Sequence, residues 1–265
     1  MHSPYLPNAY TVTDAFRESP DTVTLTVDIA CHHEPGQFFQ LSIPGFGESP
    51  ISICSDSRDH VKFNIREVGN VTRKLAELTA GDRVWIRGPY GHGYPMKTLA
   101  GNDLVVIGGG CGVAPLKGLI DYIENHRDEY GEVRLFLGYR SPDDVIFKRE
   151  LDEWENRYHL TVTVDTNPDA SCYVGTTGFV TDALKASDFS NHETVAFLCG
   201  PPIMMNTAIG ILSEKGFNDD QIFLSAERLM YCAIGACCHC MIRGKYTCID
   251  GPVFRYDDIK HAATD

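Results

Sequence analysis

The chain of 265 residues has no apolar segment long enough to cross a bilayer, which takes roughly 20 consecutive apolar residues. Its opening residues, Met1-His2-Ser3-Pro4-Tyr5-Leu6-Pro7, have no basic region followed by an apolar run, so no secretory signal is expected. Basic residues are scarce: 23 Lys and Arg against 36 Asp and Glu give a net charge of -13. Nucleic acids and anionic membrane surfaces both select an excess of Lys and Arg, so neither is an expected partner. Internal repeats and low-complexity segments are absent. The 10 histidines show no metal-ligand spacing among themselves, and no His–Asp or paired-carboxylate arrangement suggests acid–base catalysis.

Cysteine, by contrast, is plentiful. Of 10 cysteines, Cys31, Cys54, Cys111, Cys172 and Cys199 lie singly, unlike the framework of a small secreted domain, and a reducing, cytoplasmic compartment is expected. Free cysteines are more often small buried hydrophobes than reactive thiols, so no thiol mechanism is read from Cys54, Cys111 or Cys199. The rest crowd into one stretch. Cys232, Cys237, Cys240 and Cys248 are separated by four, two and seven residues. The first two gaps are those of a plant-type [2Fe–2S] site, whose fourth ligand follows after a longer gap. Two irons need four converging thiolates, so the backbone must wrap tightly, and Gly235 sits inside that loop. Zinc and disulfides compete for this reading. Zinc is usually held by two short-spaced cysteine pairs with a longer stretch between them; here three candidates share one loop, although His239 offers a substitute ligand. Cys238 reads as a free neighbour, and Tyr231 and Phe254 as shields flanking the cluster.

With 43% hydrophobic residues the chain can bury the cores of two or three domains. From Ala9 to about Ile86 the pattern is short, alternating and β-branched, with strands expected at Thr22–Ile29, Gln37–Ile43, Ile51–Cys54, Val61–Arg66 and Arg83–Arg87. One helix, about Thr72–Leu78, interrupts them. Short strands at close spacing imply a small antiparallel barrel. From Asp103 the pattern alternates between apolar strands and helices, which implies a doubly wound parallel sheet. Its expected helices are Leu116–Asn125, Asp144–Glu155, Val180–Lys185 and Ile203–Lys215. The expected division is a barrel over 1–99, an α/β domain over 100–224 and a cluster segment over 225–265.

Two loops carry the nucleotide signal. Gly108–Pro115 ends a buried strand and opens a helix, where backbone N–H groups suit a pyrophosphate and glycines permit close approach. It is not the strict dinucleotide fingerprint, and glycine-rich turns also serve packing. Cys199-Gly200-Pro201-Pro202-Ile203-Met204 repeats the strand-to-helix arrangement, and ligands of α/β sheets bind at such strand ends. In the barrel, Ser49–Cys54, Arg66 and Val68–Thr72 offer a hydroxyl, backbone N–H groups and a guanidinium to a flavin. Residue chemistry alone favours an ordinary strand and a capped helix there.

The order of these motifs resembles the ferredoxin–NADP reductase superfamily: Pro50-Ile51-Ser52-Ile53, Val68-Gly69-Asn70-Val71-Thr72, Gly108–Pro115 and Cys199-Gly200-Pro201-Pro202. The C-terminal segment, ending in Asp250-Gly251-Pro252-Val253-Phe254, is similar to the branch that holds the electron-transfer subunits of dihydroorotate dehydrogenase and of anaerobic sulfite reductase, together with the sulfhydrogenase gamma subunits. Tyr5–Tyr10, Gly91–Pro95, Gly138–Arg140 and Glu227-Arg228-x-Met230-x-Cys232 tilt the resemblance toward the sulfite reductase members, with the sulfhydrogenase members next. The resemblance implies FAD at Pro50, Ile51, Ser52, Arg66, Val71 and Thr72. It implies NAD(P)H, weakly NADH, at Gly109, Gly110, Cys111, Gly112, Val113, Pro115, Gly138, Arg140, Cys199, Gly200, Pro201 and Met204. Cluster ligation is implied for Cys232, Cys237, Cys240 and Cys248, with Ser52 near the flavin N5 and Cys199 near the nicotinamide. A catalytic redox subunit, of sulfite reductase or nickel–iron hydrogenase type, is the implied partner; a stand-alone flavin reductase is the alternative. Two departures stand out. Ser49 replaces an Arg that many members direct to the flavin phosphate, and Cys238 replaces a Gly, leaving room for an alternative ligand.

Overall fold

The computed structural model describes residues 5–57, 59–168 and 175–260, so Cys172 and Met1–Pro4 lie outside the described residues. The chain divides into two compact units. The first takes in the chain up to Tyr94, Lys117–Tyr122 and Ala226–Val253; the second takes in Pro95–Leu116, Ile123–Ser225 and the chain from Phe254.

In the first unit six antiparallel strands, β1 (Asn8–Ser19), β2 (Thr22–Val27), β3 (Phe38–Ile43), β4 (Gly47–Ser52), β5 (Val61–Arg66) and β6 (Arg83–Tyr90), run in the order β4-β3-β6-β1-β2-β5. A bridge from Ile53, just past β4, to Phe63 of β5 brings the outer strands together, as a barrel requires. Alternation explains the core. Val23, Leu25 and Val27 of β2, Phe39 and Leu41 of β3, and Phe63 and Ile65 of β5 point inward, and helix α1 (Asn70–Ala76) adds Leu75 and Ala76. The residues that alternate with them on β3, Phe38 and Gln40, are nonetheless buried at 2% and 0% exposure, so the outer face of the barrel is covered at that point. What covers it is the cysteine segment: Phe38 packs with Met230, Ala233, Cys240 and Cys248. That segment also contains a short hairpin, β13 (Met241–Ile242) with β14 (Lys245–Tyr246), and helix α6 (Thr247–Asp250). It is tied to the barrel's end by the His92–Pro252 bridge.

The second unit is a seven-stranded sheet in the order β10-β9-β8-β7-β11-β12-β15. Its strands are β7 (Asp103–Gly109), β8 (Val133–Tyr139), β9 (His159–Val164), β10 (Thr176–Thr177), β11 (Thr194–Cys199), β12 (Ile222–Ser225) and β15 (Val253–Arg255). Pairings from β10 through to β12 are parallel. Leu104–Ile107 and Val195–Cys199 are at most 5% exposed, as expected of central strands covered on both faces. The helices are α2 (Val113–Asn125), α3 (Leu151–Arg157), α4 (Val180–Ala186) and α5 (Pro202–Glu214), with α7 (Tyr256–Ile259) at the end. An antiparallel barrel and a doubly wound parallel sheet are thus both present, as expected from the sequence pattern.

Two expectations need correction. The helix expected over Asp144–Glu155 begins only at Leu151. Val145, Ile146 and Phe147 are buried outside any helix, and Phe147 has φ 58°, a left-handed conformation that ends regular structure. Their apolar spacing mimics a helical stripe. The 12-residue strand β1 is absent from the expected strands, because it changes partner along its length: Asn8–Thr11 pair with β6 and Val12–Ser19 with β2, with a register shift between Val12 and Asp14. That irregularity interrupts the two-residue period by which strands are recognised.

Candidate functional site

The cysteine loop is built by backbone that only certain residues adopt. Gly235 has φ +74°, and a Cβ there would lie 2.7 Å from the Ile249 side chain. Its N–H donates to Cys248 Sγ at 3.2 Å, while the N–H groups of Ala236 and Cys237 donate to Cys232 Sγ at 3.3 and 3.4 Å. A loop that aims amides at sulfur suits thiolates. The thiols lie in pairs: Cys232 is within hydrogen-bonding reach of Cys237, and Cys248 of Cys240, with Cys232 and Cys248 also sensing one another. Burial by itself would raise the Cys232 thiol, but the N–H groups of Ile234, Cys237 and Ala236 outweigh it and bring the pKa down to about 7. Cys248 goes the other way; burial and the neighbouring Cys240 push it to about 12 against the Gly235 N–H. Among the described residues no three His, Cys, Asp or Glu side chains close around a single metal-ion position. The loop thus offers its thiols as two pairs.

The two alternative ligands are otherwise engaged. Cys238 Sγ lies 3.2 Å from the Tyr246 hydroxyl, and the His239 ring packs on Tyr231 with centroids 4.4 Å apart. Cys238 has φ 59°, a region that L side chains enter at a cost and glycine enters freely.

Beneath the loop, the outer barrel face carries residues that sequence reasoning did not single out. Arg87 is 7% exposed. Its Nη1 donates to the Cys232 carbonyl at 2.8 Å and to the Tyr90 hydroxyl at 3.2 Å, and its Nη2 donates to the Tyr231 carbonyl at 3.2 Å. Glu48 completes the fork, accepting from Nε at 2.9 Å and from Nη2. Burial would lower the Arg87 pKa, but the Glu48 and Tyr90 contacts raise it, so the guanidinium stays charged. Only strand register brings these residues together: Gln40 pairs with Arg87 on one side and with Pro50 on the other.

Of the residues expected to face a flavin, Pro50 and Ser52 are half-buried on the same strand β4, with Ile51 between them in the core. Ser52 stands directly opposite Phe38. Arg66 donates from Nε to Asp21 at 2.8 Å. Burial would raise the Asp21 carboxyl, but Arg66, Thr22 and Ser19 outweigh it and hold it low. The Thr72 hydroxyl accepts from the Val68 and Gly69 N–H groups at 3.1 and 2.9 Å, which shapes the turn into α1. Val71 packs on the barrel core.

In the α/β unit the expected nucleotide residues gather at the C-terminal ends of β7, β8 and β11. A Cβ on Gly112 would come within 2.6 Å of the Cys199 carbonyl and the Gly200 Cα, and one on Gly109 within 2.4 Å of Met204 Sδ and 3.0 Å of Pro201. The two loops therefore touch, and glycine is what allows it. Gly110 has φ +55° and faces open space, next to exposed Cys111 and the first turn of α2, which includes Val113 and Pro115. Cys199 is fully buried. Gly138 serves packing, since a Cβ would lie 2.7 Å from Val180, while Arg140 is exposed at the strand end. Burial raises the Asp165 carboxyl and the Arg140 charge pulls it back.

Two protein-family patterns match stretches of this chain. Residues 106–209 match the oxidoreductase NAD-binding domain, and residues 227–260 match the iron-sulfur cluster binding domain of dihydroorotate dehydrogenase B. Sulfhydrogenase 2 subunit gamma of Pyrococcus furiosus is 36% identical over 85% of this chain and 84% of its own length. A probable dihydroorotate dehydrogenase B (NAD(+)) electron transfer subunit from Methanocaldococcus jannaschii is 32% identical over 94% of this chain and 90% of its own length. In fold the chain resembles the NADH-dependent reduced ferredoxin-NADP oxidoreductase, with a TM-score of 0.76 at 23% identity over 96% of this chain and 92% of that one. A ferredoxin NADP+ reductase from Neisseria gonorrhoeae gives a TM-score of 0.69 at 20% identity, over 82% of this chain and 97% of that one. The chain belongs to the family of NAD(P)H-dependent flavin and iron–sulfur electron-transfer subunits that includes the sulfhydrogenase gamma and dihydroorotate dehydrogenase B electron transfer subunits.

Proposed function

We propose that this chain is a diaphorase subunit that takes electrons as hydride from NAD(P)H onto FAD and delivers them singly, through a [2Fe–2S] cluster, to a catalytic partner. The bound cofactors supply that redox chemistry; the protein supplies position, electrostatics and exclusion of water. In this reading residues 1–99 hold FAD, 100–224 hold NAD(P)H and 225–265 hold the cluster. Pro50, Ile51 and Ser52 line the flavin ring, Arg66 with Val71 and Thr72 serves its phosphates, and Asp21 fixes Arg66 in direction. The touching loops at Gly109–Pro115 and Cys199–Met204 form the floor for the nicotinamide nucleotide, with Gly138 and Arg140 at their flank. Buried Cys199 walls the nicotinamide side. Cys232, Cys237, Cys240 and Cys248 are the cluster ligands, their charge tempered by the amide hydrogen bonds at Gly235, Ala236 and Cys237.

The observation that carries the reading is the β3–β4 register. It sets Ser52 of the flavin strand opposite Phe38, whose side chain packs in the same buried group as Cys240 and Cys248. Phe38 is therefore in register with the proposed flavin strand and packed among the proposed cluster ligands, which supports electron transfer within the barrel unit. No helix among the described residues is long and apolar enough to cross a membrane, and a cytoplasmic complex is the setting we infer.

For the partner, the motifs at Tyr5–Tyr10 and Glu227–Cys232 favour the catalytic subunit of an anaerobic sulfite reductase. The sulfhydrogenase relatives, at 36 and 38% identity, favour a second reading, a nickel–iron hydrogenase. Anaerobic purification from the native source, with the co-purifying chains identified, tests this. A sulfite reductase subunit supports the first reading and a hydrogenase the second. Recovery of a fully active NADH-oxidising chain that binds neither would favour a stand-alone reductase.

A further inference from the structure

Charged groups are seldom buried without a reason, and the outer barrel face under the cysteine loop buries one, Arg87, paired with the more exposed Glu48. Arg87 reaches two successive backbone carbonyls, Tyr231 and Cys232, from below, and is itself held by Glu48. Its side chain is 6% exposed, against 34% for Glu48. A structural tether for this loop requires no charge: a neutral donor would serve two carbonyls, and Gln40, a neutral amide in register with Arg87, is fully buried there. Both polar atoms of that amide lack hydrogen-bond partners among the described residues, so the face has not been built to minimise polar burial. Retaining a guanidinium, and a carboxylate to offset it, sets a fixed field at the backbone of Cys232.

We infer that Arg87 and Glu48 are a positioning pair that sets the reduction potential of the metal centre at Cys232, Arg87 raising it and Glu48 moderating that effect. The inference rests on the proposed cluster reading. Reduction of an iron–sulfur cluster adds one negative charge, and its potential responds to hydrogen bonds and to nearby charge in a region of low dielectric. A cation stabilises the reduced form and an anion opposes it. Since Phe38 packs between the flavin strand and Cys240 and Cys248, a shift at this pair changes the driving force between the two proposed centres without altering either set of ligands.

The two charges predict shifts of opposite sign, which a purely structural tether does not. The test is an EPR-monitored redox titration of the anaerobic full-length holoprotein, with iron and flavin content measured on the same samples. Arg87→Gln is expected to lower the cluster potential, with the reduced-to-oxidised ratio at fixed potential falling roughly tenfold, about 59 mV for a one-electron centre. Glu48→Gln is expected to raise it, and Arg87→Lys to stay near the wild type. Potentials that do not move, or that move in the same direction in Arg87→Gln and Glu48→Gln at wild-type iron content, overturn the inference. If Arg87→Gln loses iron, Glu48→Gln decides: it leaves both carbonyl contacts in place, and an unshifted potential refutes the pair's role. A wild-type protein without a [2Fe–2S] signal refutes the underlying cluster reading instead.

Discussion

Cys238 and His33 show how much a single side chain's surroundings decide. Cys238 adopts φ 59°, and its thiol meets the Tyr246 hydroxyl rather than the paired thiols. Replacing it by glycine removes a left-handed strain of about 1–2 kcal/mol and adds chain entropy of roughly 0.5–1 kcal/mol, so Cys238→Gly is expected to leave stability within about 1 kcal/mol. Iron per chain should be unchanged; a loss of iron in the variant would make Cys238 a ligand. His33 is 6% exposed, its Nε2 lies 3.1 Å from the Ser57 carbonyl, and its Nδ1 has no partner among the described residues. Burial pulls its pKa below the ordinary 6.5, against the Ser57 contact. The unfolded chain then binds the proton more readily than the folded one. Its contribution is therefore complete above the unfolded pKa of 6.5 and is lost as pH falls from there toward the depressed folded value. The stability difference between His33→Gln and the wild type should be constant above that pH and change below it, with the wild type losing more stability. Curves that stay parallel below that pH would contradict the assignment.

At the scale of elements, the two glycine loops of the α/β sheet stand or fall together. A Cβ on Gly112 meets backbone of the Cys199–Gly200 loop at 2.6 Å, and backbone cannot move aside as the end of a side chain can. Gly112→Ala should therefore destabilise the protein by roughly 1–3 kcal/mol and weaken NADH binding. Equilibrium unfolding and NADH titration by fluorescence check both parts; unchanged binding would detach the Gly112 loop from the nucleotide site. These loops are legible in the sequence because a buried apolar run followed by glycines and a helix is a local signal. The cysteine spacing is legible for the same reason. The Glu48–Arg87 pair is not: 39 residues separate the partners, and only the β4-β3-β6 order brings them to one face. Phe38 likewise reads as one more barrel apolar residue, because its neighbour Phe39 is the one that enters the core. Sequence pattern starts helix Leu151–Arg157 too early because Val145–Phe147, buried in a loop, carry a helical apolar spacing.

For the whole molecule, what matters is that the residues proposed to hold the flavin and the cluster fall in one compact unit, although more than 170 positions separate Ser52 from Cys232. Strand register brings them together: Ser52 opposite Phe38, and Phe38 against Cys240 and Cys248. In the proposed function a single chain carries electrons from NAD(P)H through flavin to an iron–sulfur cluster. The most direct measurement is anaerobic addition of NADH to the purified protein, followed by flavin absorbance and EPR, with iron, labile sulfide, zinc and flavin quantified on the same material. The expected result is iron and sulfide in the proportion of one [2Fe–2S] cluster per chain, one FAD, bleaching of the flavin and a reduced-cluster signal. Replacement of Cys232 by serine should abolish the cluster signal and leave the bleaching intact. Zinc in place of iron, absence of flavin, or a cluster that stays oxidised while the flavin is reduced would contradict it.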